Sequence, residues 1–169
     1  MTMGKLTTII GDVTDPQFTA QDEIAVIPHC CNNKNIWGGG FVIALSKKWK
    51  QPEQKYRDFC ESNISLPILG KTCFSKVNNH IAVANMIAQN GIISKDNLIP
   101  IKYQALVNCM ADVGEYVQMI RVKTKKPVVI HAPKFGSLRA GGCFDFILEL
   151  IREIWLENGI DLVIYEFTE

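Results

Sequence analysis

Short apolar runs alternate along the chain with segments in which apolar residues recur every three or four positions. The runs at residues 5–11, 23–29, 127–132 and 161–167 predict strands, and those at 70–77 and 81–87 predict a strand pair. Helical spacing predicts helices over 41–49, from Pro52 onward, over 103–120 and over 144–156. The run at 127–132 is apolar almost throughout, which is typical of a strand covered on both faces. Alternating strands and helices therefore predict an α/β fold of three layers, α/β/α, with a central mixed sheet.

In sheets of this kind, ligands bind at the carboxyl ends of strands, in the loops that lead into helices. The first such loop contains Gly11, Asp12, Val13 and Thr14, directly after the first predicted strand. Asp12 could accept a hydrogen bond from an exocyclic amine, and Val13 could lie against an aromatic base. The alternative is that Asp12 only caps a turn or a helix, which is a common use of aspartate.

The second loop runs from His29 to the start of the helix at residue 41 and contains Gly38, Gly39 and Gly40. Three glycines before a helix are costly in conformational freedom, unless the backbone has to approach a phosphate or a ribose closely. Asn32 and Asn33 add donors and acceptors that suit sugar hydroxyls. The alternative is a flexible glycine loop. The spacing does not match a P-loop, because no Gly-Lys-Ser/Thr follows.

The third loop covers residues 133–142 and lies between the buried strand and a helix. Its small residues and backbone amides could hold a diphosphate. One such turn alone is weak evidence, but three in a single short α/β chain support one another. The candidate ligand-binding residues of this loop are Phe135, Gly136, Ser137, Leu138 and Arg139.

Composition narrows the classes of protein that the chain can belong to. With 169 residues, of which 47% are hydrophobic, the chain can bury the core of one domain, and we expect residues 1–169 to form it. A net charge of +1 argues against direct nucleic-acid binding, since the basic run at 121–126 is typical of a helix end. The first residues lack the pattern of a signal peptide, and no apolar run reaches the roughly 20 residues of a membrane span. We therefore expect a cytoplasmic, monomeric protein without membrane contact.

The six cysteines include no Cys-x-x-Cys pair. A structural zinc site is therefore not expected, and the thiols should be reduced and mostly buried. Cys30 and Cys31 are expected to be packing residues rather than nucleophiles, because a thiolate needs electropositive surroundings. We expect no metal and no cofactor.

Taken together, the three loops resemble the motifs of the macro-domain family over nearly the whole chain. Residues 11–14 resemble the family's adenine-binding Gly-Asp-Ile/Leu-Thr. Residues 29–40 are similar to its Asn-Ala-Ala-Asn strand end with a glycine-rich helix entry. Residues 133–144 resemble its Pro-Arg-Ile-Gly-Cys-Gly-Leu-Ala-Gly-Gly-Asp-Trp loop, with Leu138 and Arg139 in place of Gly-Leu and Cys143 in place of Asp. The last strand, with Tyr165 and Phe167, resembles the strand that lines the adenine pocket.

The resemblance implies that the chain binds ADP-ribose or a derivative. The branch with His-x-Cys-Asn and Trp-Gly-Gly-Gly is the most similar, and it includes phosphatases that hydrolyse ADP-ribose-1''-phosphate. Glutamate-deconjugating relatives use a lysine near residues 81–89, and that segment has none here. Two functions therefore stay open: a hydrolase that acts at the distal ribose, and a reader that only binds ADP-ribose or ADP-ribosylated macromolecules.

Three residues are candidates for catalysis under the hydrolase interpretation. His29 would be the general acid or base, since an ordinary histidine pKa suits that work at neutral pH. Asn32 would orient the ribose or the attacking water. Asp145 would replace the carboxylate that the family places at the position of Cys143. The candidate ligand-binding residues are Gly11, Asp12, Val13, Asn33, Trp37, Gly38, Gly39, Gly40, Phe135, Gly136, Ser137, Leu138, Arg139, Tyr165 and Phe167.

Overall fold

The computed structural model of the protein describes residues 2–167. In this part of the chain, a six-stranded sheet carries helices on both of its faces. The strands are β1 (Leu6–Ile10), β2 (Ile24–Asn32), β3 (Thr72–Lys76), β4 (Ile81–Gln89), β5 (Val128–Pro133) and β6 (Leu162–Glu166). The helices are α1 (Phe41–Lys48), α2 (Gln51–Ser62), α3 (Tyr103–Thr124) and α4 (Phe144–Ile154).

The strand order across the sheet is β1-β6-β5-β2-β4-β3. Every neighbouring pair is parallel except β3 and β4, which run antiparallel. This confirms the predicted mixed sheet of an α/β fold, including the strand pair. Because parallel strands end at the same edge, the carboxyl ends of β1, β6, β5 and β2 all lie there.

The core is divided by the sheet into two parts, because side chains along a strand alternate between its faces. On β2, Ile24 and Val26 join the cluster formed with α3 and α4, whereas Ala25 and Ile27 join the cluster that contains Leu45 of α1. β2 is covered on both faces: it is buried at all positions except the half-buried Cys30, and its residues 24–28 are all apolar. Among residues 2–167, no helix is long and apolar enough to cross a membrane.

The end of β2 differs from the sequence prediction. The predicted strand ends at His29, but pairing with β4 continues through Asn32, with an irregularity between Cys31 and Asn32. His29 therefore lies inside the sheet, directly opposite Asn85, rather than in a loop. The sequence did not predict this extension, because polar residues at 29 and 32 are unusual in a buried strand. Each of them has a hydrogen-bonding partner in the structure, which offsets the cost of its burial.

Candidate functional site

A cavity of about 1090 Å³ opens at the edge of the sheet where β1, β6, β5 and β2 end. Neighbouring strands lie about 4.8 Å apart, so the crevice spans about 14 Å from the end of β1 to the end of β2. This is room for an elongated ligand rather than a compact one. The three loops identified in the sequence, at residues 11–14, 29–40 and 133–142, all contribute to its wall.

Most of the predicted site residues lie around this one cavity. Two candidates, Asn33 and Asp145, are not among the described residues that line it. Asn33 instead accepts a hydrogen bond from the backbone N–H of Gly91 at 2.9 Å and donates to Oδ1 of Asn90 at 3.1 Å, so it holds the loop after β4. Asp145 is exposed in the first turn of α4. Its position gives no support to the prediction that it replaces the family's carboxylate.

Asp12 stands at one end of the cavity, directly beyond β1. Its Oδ1 accepts hydrogen bonds from the backbone N–H of Thr14 at 2.9 Å and from the Thr14 hydroxyl at 2.7 Å. The two interpretations of Asp12 are thus compatible, because one carboxylate oxygen caps the turn and the side chain still lines the cavity. Val13 is buried beside it, in the same cluster as Tyr165.

Tyr165 joins the cavity wall to a buried polar network. Its hydroxyl accepts a hydrogen bond from the backbone N–H of Gln17 at 2.8 Å and lies 2.7 Å from Nδ1 of His131. The other ring nitrogen of His131 lies 2.7 Å from the carboxylate of Glu23, which also accepts hydrogen bonds from Thr19. Burial alone would raise the pKa of Glu23, but the hydrogen bonds from His131 and Thr19 outweigh it and hold that pKa below its usual value. The segment between Asp12 and Glu23 is therefore anchored to the sheet.

His29 is 2% exposed and lies in the floor of the cavity. Its Nε2 is 2.5 Å from Oδ1 of Asn85, whose orientation is fixed because its Nδ2 donates to the carbonyl of Pro52 at 3.0 Å. Burial lowers the pKa of His29 to about 4, although the hydrogen bond to Asn85 opposes this shift. The imidazole is therefore neutral at physiological pH, with its proton on Nε2 and donated to Asn85. The rings of Trp37 and Phe41 enclose it, at centroid distances of 5.6 and 5.5 Å.

Asn32 shapes the glycine-rich loop. Its Nδ2 donates to the carbonyl of Ile36 at 2.8 Å, and its Oδ1 accepts from the backbone N–H of Lys34 at 2.9 Å and of Ile36 at 3.3 Å. The Tyr56 hydroxyl donates to the backbone carbonyl of Asn32 at 2.7 Å and also lies 2.9 Å from Oδ1. The amide oxygen is thus fully engaged with protein groups, and only one Nδ2 proton is left to meet a ligand. Asn32 positions the residues that lead to Gly38.

Cys30 and Cys31 also line the cavity. Burial raises the pKa of both thiols, so both stay protonated at neutral pH. Cys31 Sγ lies 3.8 Å from Nε2 of His29. In residues 2–167, no group of three or more His, Cys, Asp or Glu side chains is arranged to hold a metal ion.

The third loop folds into a tight turn at the cavity mouth. The Ser137 hydroxyl donates to the carbonyl of Lys134 at 2.7 Å, and the backbone N–H of Gly141 donates to the carbonyl of Leu138 at 2.9 Å. Leu138 has a φ of 53° and its side chain is 89% exposed. The left-handed conformation is one that glycine adopts readily and leucine does not. The backbone thus keeps the shape that a glycine would give it.

Sequence reasoning missed part of the wall. Ile92 and Ile93 line the cavity from the loop after β4, as does Gln89 at the end of that strand. A signal was available, because β4 is parallel to β2 and its carboxyl end had to meet the same edge. Asn85 was also missed, although an asparagine within the apolar run of residues 81–89 required a buried partner.

The chain is similar to proteins of known sequence and structure. No family model matches it. It is 22% identical over 130 residues to an ADP-ribose 1''-phosphate phosphatase of Candida albicans, covering 76% of this chain and 80% of that protein. It is 29% identical over 168 residues to the chromodomain-helicase-DNA-binding protein 1-like of Mus musculus, of which it spans 17%.

Solved structures with the same fold cover nearly the whole chain. A protein of unknown function from Bacteroides thetaiotaomicron is 35% identical, with a TM-score of 0.84 over 98% of this chain and 99% of that one. A macrodomain protein from Streptomyces coelicolor is 29% identical, with a TM-score of 0.79 over 96% of this chain and 99% of that one. With the mixed sheet and the three loops around one cavity, these similarities agree with the resemblance in the sequence. The chain belongs to the macro domain family.

Proposed function

We propose that the cavity binds ADP-ribose. The observation that carries this proposal is the convergence of the three loops on one elongated cavity, with a carboxylate at one end and the glycines of the second and third loops toward the other. ADP-ribose has the matching order of groups, an amine-bearing base, then a diphosphate, then a sugar. The Candida albicans relative is named for a phosphorylated form of the same molecule.

The adenine would lie at the end formed by β1 and β6. Its exocyclic amine would donate to the Asp12 carboxylate oxygen that does not cap the turn. Val13 and Phe167 both line this end, and Phe167 is 72% exposed, so its ring face is available for stacking. Tyr165 is only 3% exposed and would support the base through its ring rather than through its hydroxyl.

The diphosphate would lie on the backbone of Gly136, Ser137 and Leu138, across from Gly38, Gly39 and Gly40. Backbone amides at such turns favour negative charge without any side chain. The distal ribose would then lie above His29 and near the remaining amide proton of Asn32. Trp37 would close the far wall, where its Nε1 is fixed by a 2.8 Å hydrogen bond to the Ser46 hydroxyl.

Calorimetric titration tests this proposal. ADP-ribose should bind, and AMP should bind much more weakly, because it leaves the diphosphate loops and the distal site empty. Ribose 5-phosphate should also bind weakly, because it leaves the adenine end of the cavity empty. No heat with ADP-ribose at millimolar concentration would overturn the proposal.

Hydrolysis of ADP-ribose-1''-phosphate is the second candidate function, favoured by the name of the Candida albicans relative. A water oxygen would bond to phosphorus and the bond between phosphorus and the ribose oxygen would break. Nδ1 of His29 would take a proton from the water and pass it to the departing ribose oxygen, which leaves as the 1'' hydroxyl. The pKa of His29, about 4, lies well below neutral pH, so its help as a base is weak and it has no second proton to give. For this reason binding is the main proposal and turnover the second.

An assay for phosphate release separates the two candidates. Phosphate released from ADP-ribose-1''-phosphate, and reduced in His29→Ala while ADP-ribose affinity stays within a few fold, would establish the phosphatase. Release of ADP-ribose from a glutamate-modified peptide would establish a de-ADP-ribosylating hydrolase. Binding without either product would establish a reader of ADP-ribose or of ADP-ribosylated macromolecules.

A further inference from the structure

A buried polar network runs from Glu23, just before β2, through His131 of β5 to Tyr165 of β6. Glu23 is 1% exposed and His131 is fully buried. Such groups are costly in an apolar core, and apolar side chains of comparable size often give equal or greater stability in their place. Stability alone therefore does not account for the network, and the groups that it holds in place indicate a second role.

Each member of the network is fixed in one orientation by its hydrogen bonds. The Tyr165 hydroxyl accepts from the backbone N–H of Gln17 at 2.8 Å, so its own proton goes to Nδ1 of His131 at 2.7 Å. The other ring nitrogen, Nε2, then carries the imidazole proton and donates it to Oε2 of Glu23 at 2.7 Å. The second carboxylate oxygen accepts from the backbone N–H of Thr19 at 2.8 Å and from the hydroxyl of the same residue. All of these donors and acceptors are thus paired in a single arrangement.

Both ends of the network hold the same loop, which joins β1 to β2. Tyr165 holds it at Gln17, and Glu23 holds it at Thr19. Over residues 11–23, which the structure describes in full, this loop forms neither helix nor strand. A connection of that length without secondary structure is uncommon unless it serves a function. The network supplies hydrogen bonds that a regular element would otherwise supply.

The loop also carries the carboxylate that faces the base end of the cavity. Asp12 lies at its start, and the backbone N–H of Asp15 donates to the carbonyl of Asp12 at 3.0 Å. The turn that presents Asp12 is therefore continuous with the segment that is fixed at Gln17. A Cβ atom added to Gly11 would be 3.7 Å from the ring of Tyr165 and 3.5 Å from Nε2 of Gln17. The network thus reaches the loop directly beside Asp12.

We infer that Glu23 and His131 are positioning residues for base recognition, which hold the loop so that the Asp12 carboxylate can accept from the exocyclic amine of adenine. This inference rests on the proposed binding of ADP-ribose. In the part of the chain that the structure describes, neither side chain lines the cavity, so both act through the loop. Their effect is expected on the preference for adenine and not on the binding of the diphosphate or the distal ribose.

The test compares ADP-ribose with its inosine analogue, which lacks the exocyclic amine, by calorimetry on purified protein. The wild-type protein should bind ADP-ribose about 10- to 100-fold more tightly than the analogue. In Glu23→Gln, the amide oxygen can keep Thr19 only if the amide nitrogen faces Nε2 of His131, so two donors meet. This variant of nearly identical shape should bring the two affinities within about threefold, by weakening only ADP-ribose.

A double variant, Glu23→Leu with His131→Leu, separates positioning from stability. It replaces both buried partners by apolar side chains of comparable size, so neither one is left as an unpaired buried group. Thermal unfolding should show a folded protein, and the preference for adenine should be lost as in Glu23→Gln. The control is Val117→Ala, in the part of the core on the other face of the sheet, which lowers stability without touching the loop. It should keep the wild-type ratio of affinities.

A wild-type ratio in either network variant would overturn the inference and leave the proposed function intact. An equal loss for both ligands would also overturn it, because that marks a general effect on the cavity. A ratio that falls as far in Val117→Ala would do the same, since stability alone would then explain the result. If Glu23→Gln does not fold, the double variant decides. No binding of either ligand by the wild-type protein would instead overturn the proposed function.

Discussion

The hydroxyl of Tyr165 lies 2.7 Å from Nδ1 of His131, and this contact joins the wall of the cavity to a polar network inside the apolar core. The network continues from His131 to Glu23, and both side chains are fully shielded from solvent. Buried polar groups are stable only when each has a hydrogen-bonding partner. Removal of one member of the network therefore leaves another buried polar group without its partner. The adenine end of the site is therefore held by hydrogen bonds as well as by packing.

Tyr165→Phe should destabilise the protein by about 1–3 kcal/mol, because the ring remains while a buried imidazole nitrogen loses its partner. Urea unfolding at neutral pH measures the change. Tyr116→Phe is the matched control, since Tyr116 stacks on Phe74 with a centroid distance of 4.2 Å and makes no hydrogen bond through its hydroxyl to any described residue. Equal stability of the Tyr165→Phe variant and the wild-type protein would show that the network contributes nothing.

The pKa of His29 makes stability depend on pH in a defined window. It falls from 6.5 to about 4 on folding, so the unfolded chain binds more protons between these values. The stabilisation is complete above pH 6.5 and is lost as the pH falls toward 4, by about 3 kcal/mol in total. Urea midpoints measured from pH 7 down to pH 4 should therefore decline.

His29→Gln is the control for this decline, because glutamine can still donate to Asn85 but does not titrate. Its stability should change much less with pH between 6.5 and 4. The lowered pKa of Glu23 adds a loss only below its usual value of 4.5, where the carboxylate becomes protonated, so it falls outside most of this window. A slope as steep in His29→Gln as in the wild-type protein would assign the effect to another group.

Asp12→Asn tests the base end of the site. The variant can keep the cap on Thr14 through its amide oxygen, but it replaces the free carboxylate oxygen with a donor. ADP-ribose should bind about 1–3 kcal/mol more weakly, and the preference for ADP-ribose over its inosine analogue, which lacks the exocyclic amine, should disappear. Asp15→Asn, in the same loop but outside the cavity lining, should change neither. A preference that survives in Asp12→Asn would remove Asp12 from adenine recognition.

Much of the fold could be predicted from the sequence, because periodicity reports which faces are covered. The apolar run at 127–132 predicted a strand with both faces buried, and β5 is buried at every position but the last. Position in the loops also indicated most residues of the cavity wall, since the carboxyl ends of parallel strands share an edge. The cytoplasmic location, the monomeric state and the absence of nucleic-acid binding stay predictions.

The sequence did not show which side chains of the site make hydrogen bonds to other protein groups and are therefore unavailable to a ligand. Asn32 looked free to hold a ribose, yet its amide oxygen accepts from the backbone N–H groups of Lys34 and Ile36, and the Tyr56 hydroxyl lies against its backbone carbonyl. His29 looked like a histidine with an ordinary pKa, but burial beside Asn85 lowers that pKa to about 4. Asn85 is distant from His29 along the chain, and Tyr56 is distant from Asn32, so only the register of β2 with β4 and the packing of α2 bring these residues together.

Leu138→Gly should stabilise the protein while leaving its fold unchanged. The left-handed conformation costs a residue with a Cβ about 1–2 kcal/mol, and the side chain of Leu138 is 89% exposed, so little packing is lost on its removal. After the greater entropy of glycine in the unfolded chain is subtracted, a gain of about 0.5–1 kcal/mol remains. Leu66→Gly is the matched control, since Leu66 is 63% exposed and is not among the residues with positive φ, so it should lose stability. Urea midpoints of the two variants should therefore move in opposite directions from that of the wild-type protein. A loss of stability in Leu138→Gly would mean that the exposed leucine makes contacts in solution that offset its backbone strain.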